Sequence, residues 1–147
     1  MKLDEAVLIR CAIEASQTAW SPYSRFQVGA ALLGTNGQIY TGCNVESAAF
    51  TPGCCAERTA LFKAISQGQR TFTALAVYGH PQDEPARSLT APCGACRQML
   101  TEFCPAEFPV ILVKSETEYR TVSLGELLPY AFGAKDWQSD ESKDQSI

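Results

Sequence analysis

Two short stretches of the chain carry residues suited to metal chemistry: Cys55-Ala56-Glu57, and Pro92-Cys93-Gly94-Ala95-Cys96. The second is a CxxC pair, which at a helix start brings two sulfurs within reach of one ion. A third ligand must come from elsewhere, and Cys55 is the candidate. Three protein ligands leave one position of a tetrahedral zinc open for water, which is the catalytic pattern rather than the closed structural one. Glu57 stands two residues past Cys55, where a carboxylate approaches such a water without itself binding the metal, and its expected work is proton transfer. Only Cys55, and not its neighbour Cys54, places Glu57 at that offset. The expected set is therefore Zn2+ held by Cys55, Cys93 and Cys96, with Glu57 as the catalytic acid and base.

Three thiolates load a divalent ion with negative charge and weaken its power to acidify water. Helix N-termini predicted at all three cysteines favour anions and offset this. Arg58 and Arg97, close in sequence to the ligands, are both expected to donate hydrogen bonds to sulfur. Other readings stay open on these residues alone. A lone CxxC also suits a thioredoxin-type redox pair, although that leaves Cys55-Ala56-Glu57 unexplained. A structural zinc site needs a fourth ligand, and Cys54 would supply it only if adjacent cysteines both reached one ion. The remaining cysteines, Cys11, Cys43, Cys54 and Cys104, read as small apolar core residues. His80, the single histidine, reads as a solvated side chain in a polar loop.

The elements that must position these residues follow from apolar spacing and from breaks. Leu3 to Trp20 fits an amphipathic helix, stopped by Ser21-Pro22-Tyr23-Ser24. Phe26 to Leu33 and Gln38 to Val45 read as strands joined by a hairpin turn with an Asn36-Gly37 pair. Cys54 to Gln67 is a helix closed by Gly68, and Thr73 to Tyr78 a short buried strand. His80 to Pro92 is a proline-rich loop. A helix over Gly94 to Phe103 precedes strands over Pro109 to Val113 and Tyr119 to Val122. Ser123 is placed to cap a short helix over Leu124 to Leu128. Helices alternating with five strands predict an α/β fold, a three-layer α/β/α sandwich around a mixed five-stranded sheet. One catalytic domain is expected over 1–137, with a polar tail over 138–147.

A formal net charge of -4 with scattered basic residues argues against a nucleic-acid partner. No run of about 18 apolar residues exists, so no membrane-spanning segment is expected. The N-terminal residues have acids near the start and do not read as a signal peptide. Seven cysteines without such a signal point to the reducing cytoplasm and to metal or redox chemistry rather than disulfides.

Five ordered blocks then resemble the cytidine deaminase family. They are residues 21–32, Gly42-Cys43-Asn44-Val45-Glu46, residues 53–60, Pro92 to Gln98, and Leu127-Leu128-Pro129 with Phe132. A ligand, any residue, Glu, and then P-C-x-x-C is also the signature of zinc-dependent deaminases of nucleobases and nucleosides. The resemblance implies that Phe26 packs against the pyrimidine and that Asn44 and Glu46 bind the ribose hydroxyls. Val45 would offer only its main chain, and Ala56 its backbone groups to the base. Phe132 would close the site, in many members from a neighbouring subunit, which implies a homotetramer. Two positions depart from the family pattern: Phe50, where tyrosine is frequent, and Cys54, where an aliphatic residue is. The implied activity is hydrolytic deamination of cytidine and 2′-deoxycytidine. A related aminopyrimidine substrate, or a zinc-stabilised binding module without catalysis, are the alternatives.

Overall fold

The computed structural model describes residues 3–138. All but Gln138 of the expected tail lies outside them. A central sheet runs in the order β2-β1-β3-β4-β5, built from β1 (Phe26–Gly34), β2 (Ile39–Cys43), β3 (Phe72–Pro81), β4 (Pro109–Val113) and β5 (Tyr119–Ser123). The helices are α1 (Glu5–Ser16), α2 (Ala56–Ser66), α3 (Gly94–Thr101) and the single turn α4 (Leu124–Leu127). The three-layer arrangement expected from the alternation of elements is the one observed.

Both faces of the sheet centre are covered, so β1, β3 and β4 carry nearly continuous apolar runs. Along β3 the residues alternate between two cores. Ala74 and Ala76 face α1 with Leu8, Ile9 and Ala12, while Leu75 and Val77 face α2 and α3 with Ala60, Leu61 and Leu100. The second core is the larger, and it carries the functional layer.

Strand direction decides where that layer's helices begin. β1 is antiparallel to both β2 and β3, and β3 is parallel to β4. β2, β3 and β4 therefore all point the same way. The helices that follow β2 and β3 must start at one common end of the sheet, where ligand sites of α/β folds gather. α2 also lies directly on the β2 backbone. A Cβ at Gly42 would overlap the Ala56 carbonyl and the Ala60 amide, so only glycine lets the helix approach this closely.

Several boundaries differ from expectation. α1 ends at Ser16, and Trp20 instead bridges to Val45. β3 runs on to Pro81, because Gly79, His80 and Pro81 keep pairing with Val28, Gln27 and Phe26. His80 is correspondingly buried rather than solvated. Its Nε2 meets the Ser16 hydroxyl at 3.2 Å and its Nδ1 the Pro81 carbonyl at 2.8 Å. The buried strand, not the polar sequence around it, sets its environment. Ser123 caps α4 as expected, in a reciprocal box with Glu126.

The close approach at Gly42 leads to a test. Gly42→Ala overpacks the β2–α2 contact and should cost about 1–3 kcal/mol of stability, read as a fall in the denaturant midpoint.

Candidate active site

The two ligand-bearing stretches meet at that common sheet end. Cys55 is the N-cap of α2 and Cys93 the N-cap of α3, both with extended backbone and neither making a side-chain cap hydrogen bond. Cys96 lies in the first turn of α3 and is buried. The three sulfurs all lie within 4.8 Å of one another. Cys55 to Cys93 is 3.5 Å and Cys93 to Cys96 is 3.6 Å. Zinc–sulfur bonds of about 2.3 Å would set sulfurs of a tetrahedral site about 3.8 Å apart, so the spacing suits such an ion. Glu57 is 4% exposed, and its Oε2 stands 3.6 Å from the Cys96 sulfur.

The protonation of this cluster points the same way. A hydrogen bond from Cys96, with further ones from Arg58 and Cys93, holds the Cys55 thiol down at about 5. The Cys96 thiol is pushed up by that shared hydrogen bond and by burial. Burial raises the Glu57 carboxyl to about 7, and the Cys55 charge adds to the effect. The three thiols are thus linked by shared protons. A divalent cation would displace those protons, as metal binding to thiols does.

Arg58 and Arg97 part company. Arg58 Nη2 donates to the Cys55 sulfur at 3.6 Å, as expected. Arg97 does not reach sulfur. Its Nε donates to the Pro92 carbonyl and its Nη1 to the Leu127 carbonyl, each at 2.7 Å. Adjacent positions on a helix point about 100° apart. With Cys96 facing inward, Arg97 is turned along the flank of α3.

The other expected residues fall on three structures. A cavity of about 460 Å³ beside Cys55 and Arg58 is lined by Asn44, Val45 and Glu46, and also by Tyr23, Phe50 and Cys54. Glu46 Oε1 accepts from the Tyr23 and Ser24 amides, both at 3.1 Å; burial pushes its carboxyl up, but the Ser24 side chain and these amides outweigh that and pull it below the usual range. The Asn44 side chain ties β1: its Oδ1 accepts from the Val28 amide and its Nδ2 donates to the Phe26 carbonyl, both at 2.8 Å. Val45 exchanges both main-chain hydrogen bonds with Cys54 at 2.9 Å. It therefore presents to the cavity its half-exposed side chain and a carbonyl with one lone pair left. Ala56, fully buried, opens α2.

Phe26 sits outside that cavity's lining, with its ring over Gly79, where a Cβ would clash with the ring and with the Thr90 hydroxyl. Phe132 lines a separate cavity of about 280 Å³ together with Thr101, Leu124 and Leu128. Phe132 and the sulfurs do not meet within one chain. Among the remaining cysteines Cys104 is buried in the core, its thiol pushed up to about 12 by burial, and Cys11 packs against the edge of the α1-side core. Cys11, Cys43 and Cys54 are half-buried.

Sequence reading missed Tyr23 and Phe50 as lining residues. Tyr23 lies in a stretch that carries both a helix break and the first family-like block, with no role of its own, and Phe50 is noted only as a departure from the family pattern. The signal available for Tyr23 was its place beside a proline turn that Glu46 is poised to cap.

Three thiols at two helix N-termini beside a buried carboxylate form the site of a metal-dependent hydrolase. The model of the cytidine and deoxycytidylate deaminase zinc-binding region matches residues 1–112, and the chain belongs to that family. It is 46% identical over 134 residues to a cytidine deaminase of Halalkalibacterium halodurans, covering 91% of this chain and 98% of the relative. It is 44% identical over 134 residues to a cytidine deaminase of Sporosarcina psychrophila, covering 91% and 95%. The crystal structure of cytidine deaminase from Burkholderia pseudomallei matches with a TM-score of 0.80 at 42% identity, over 88% of this chain and 100% of that one. No helix among the described residues is long and apolar enough to cross a membrane.

The sulfur contact of Arg58 can be tested through the metal. Arg58→Gln should weaken zinc retention about tenfold or more against a competing chelator, while Arg97→Gln, which touches no sulfur, should leave retention unchanged.

Proposed function

We propose that this chain is a zinc-dependent cytidine deaminase, converting cytidine and 2′-deoxycytidine with water to uridine and deoxyuridine plus ammonia. The observation that carries the reading is the buried Glu57 carboxyl against a cluster of three converging thiols. Cys55, Cys93 and Cys96 hold the zinc. Bound there, it supplies the Lewis acidity that makes water a nucleophile near neutral pH.

Glu57 does the proton work. It takes a proton from the attacking water and passes it to N3 of the cytosine ring. The water oxygen bonds to C4. Glu57 then takes the second proton from the new C4 hydroxyl and gives it to the departing amine; the C4–N bond breaks, ammonia leaves and C4 keeps a carbonyl. A carboxyl raised to about 7 by burial suits this double duty, because an acid–base group works best with a pKa near the operating pH.

The other residues bind. Phe26 packs on the pyrimidine and the backbone at Ala56 meets its polar edge. Asn44 and Glu46 hold the ribose hydroxyls, with Val45 between them. Glu46 is pre-set for this, since two amides fix one of its oxygens. Arg58 steadies the Cys55 thiolate. Phe132, exposed in one chain, closes the site of a neighbouring copy in a homotetramer. The setting that fits is cytoplasmic pyrimidine salvage.

Incubation with cytidine should lower its ultraviolet absorbance as uridine forms, with about one zinc per chain. Glu57→Gln should keep the zinc and lose at least about 10²-fold in kcat. A Glu57→Gln protein that stayed active would remove the mechanism. Blasticidin-type nucleosides, cytosine and deoxycytidylate assayed beside cytidine would expose a different substrate.

A further inference from the structure

Past Leu127 the chain leaves α4 and regains regular structure only in the single turn Ala134–Asp136. Residues 129–132 make no main-chain to main-chain hydrogen bond among the described residues. Tyr130 sits there in the left-handed region, φ 55°, fully exposed. A non-glycine residue held in that region costs energy and persists where its surroundings fix it.

One side chain reaches this stretch. Gln98 Nε2 donates to the Phe132 carbonyl at 2.8 Å, the single hydrogen bond on residues 129–132 among those described. Gln98 stands two residues past Cys96 on α3. Its own carbonyl accepts from the Thr101 hydroxyl at 2.6 Å. Arg97 secures the start of the same segment at Leu127 and also ties back to Pro92, the residue before Cys93. The helix that starts at the sulfur cluster therefore grips both ends of the segment bearing Phe132.

We propose that Gln98 is a positioning residue: by holding the Phe132 main chain to α3, it sets how the Phe132 ring is presented. This rests on the reading of Phe132 as closing the site of a neighbouring copy. Gln98 touches neither the sulfurs nor Glu57 among the hydrogen bonds described. Its effect should appear in substrate binding rather than in metal retention.

The test uses the zinc-loaded full chain. Gln98→Glu keeps the shape and removes the donor, and Gln98→Ala is the second variant should the first fold poorly. Two readouts are needed. Chymotrypsin cleavage at Tyr130 or Phe132 should quicken about two- to tenfold, the reach of one lost hydrogen bond, with zinc content at the wild-type level. The KM for cytidine should rise over the same range, with kcat changing less. Phe132→Ala should raise KM too, and adding Gln98→Glu to it should raise KM no further. Unchanged cleavage, a KM effect that adds to that of Phe132→Ala, or loss of zinc would each overturn the proposal. The cleavage readout needs no substrate. Failure of the wild type to turn over cytidine would strike the functional reading, and the tether would still be judged on cleavage.

Discussion

Three sulfurs and a carboxylate packed within a few ångströms repel one another once ionised, and the fold is arranged around tolerating that charge. Three parallel strands bring two helix starts to one end of the sheet. The sulfurs sit at the N-terminal ends of both helices, where the macrodipole favours negative charge. Arg58 adds a cation at 3.6 Å from the most acidic thiol. Glu57 meets the charge differently. Buried and beside a thiolate, its carboxyl is held near neutrality, which is also the condition its proposed chemistry needs.

The proposed sugar-binding side and the sulfur cluster are a single piece of backbone. Val45 and Cys54 exchange both main-chain bonds, and Trp20 bridges from the other side. Asn44 and Glu46 therefore flank the residue that fixes the position of Cys54, one step from Cys55 of the sulfur cluster. Asn44 further knits Phe26 and Val28 into the sheet. A substitution there moves the strand under Phe26 as well as any sugar contact, so Asn44 has a part in the architecture beyond binding.

Local chemistry was the most legible part of the sequence. The Cys55–Glu57 and Cys93–Cys96 offsets each fall within one helical turn and are local properties legible in the sequence, whereas the meeting of the two turns follows from the strand directions. The layers were legible too, since apolar runs in Thr73–Tyr78 and Pro109–Val113 can only be strands covered on both faces. What stayed hidden depends on contacts distant in sequence. His80 looks polar in its own neighbourhood, and only pairing with Gln27 shows that it is buried. Arg97 adjoins a ligand, yet the turn of the helix sends it to Leu127, 30 residues on. The place of Phe132 outside the sulfur cluster is likewise invisible to spacing.

The same strand directions that gather the chemistry at one end leave the other end without any. There lie the Gly34–Gln38 hairpin and the turn through Gly68 to Thr71. They are held by small polar contacts such as Thr35 to Thr71 and Gln69 to Thr71. The sheet is thus polar in a functional sense, with a reactive rim and a permissive one. Loops on the permissive rim can drift in length and composition over evolution, or accept an inserted peptide or surface anchor, at little expense to catalysis.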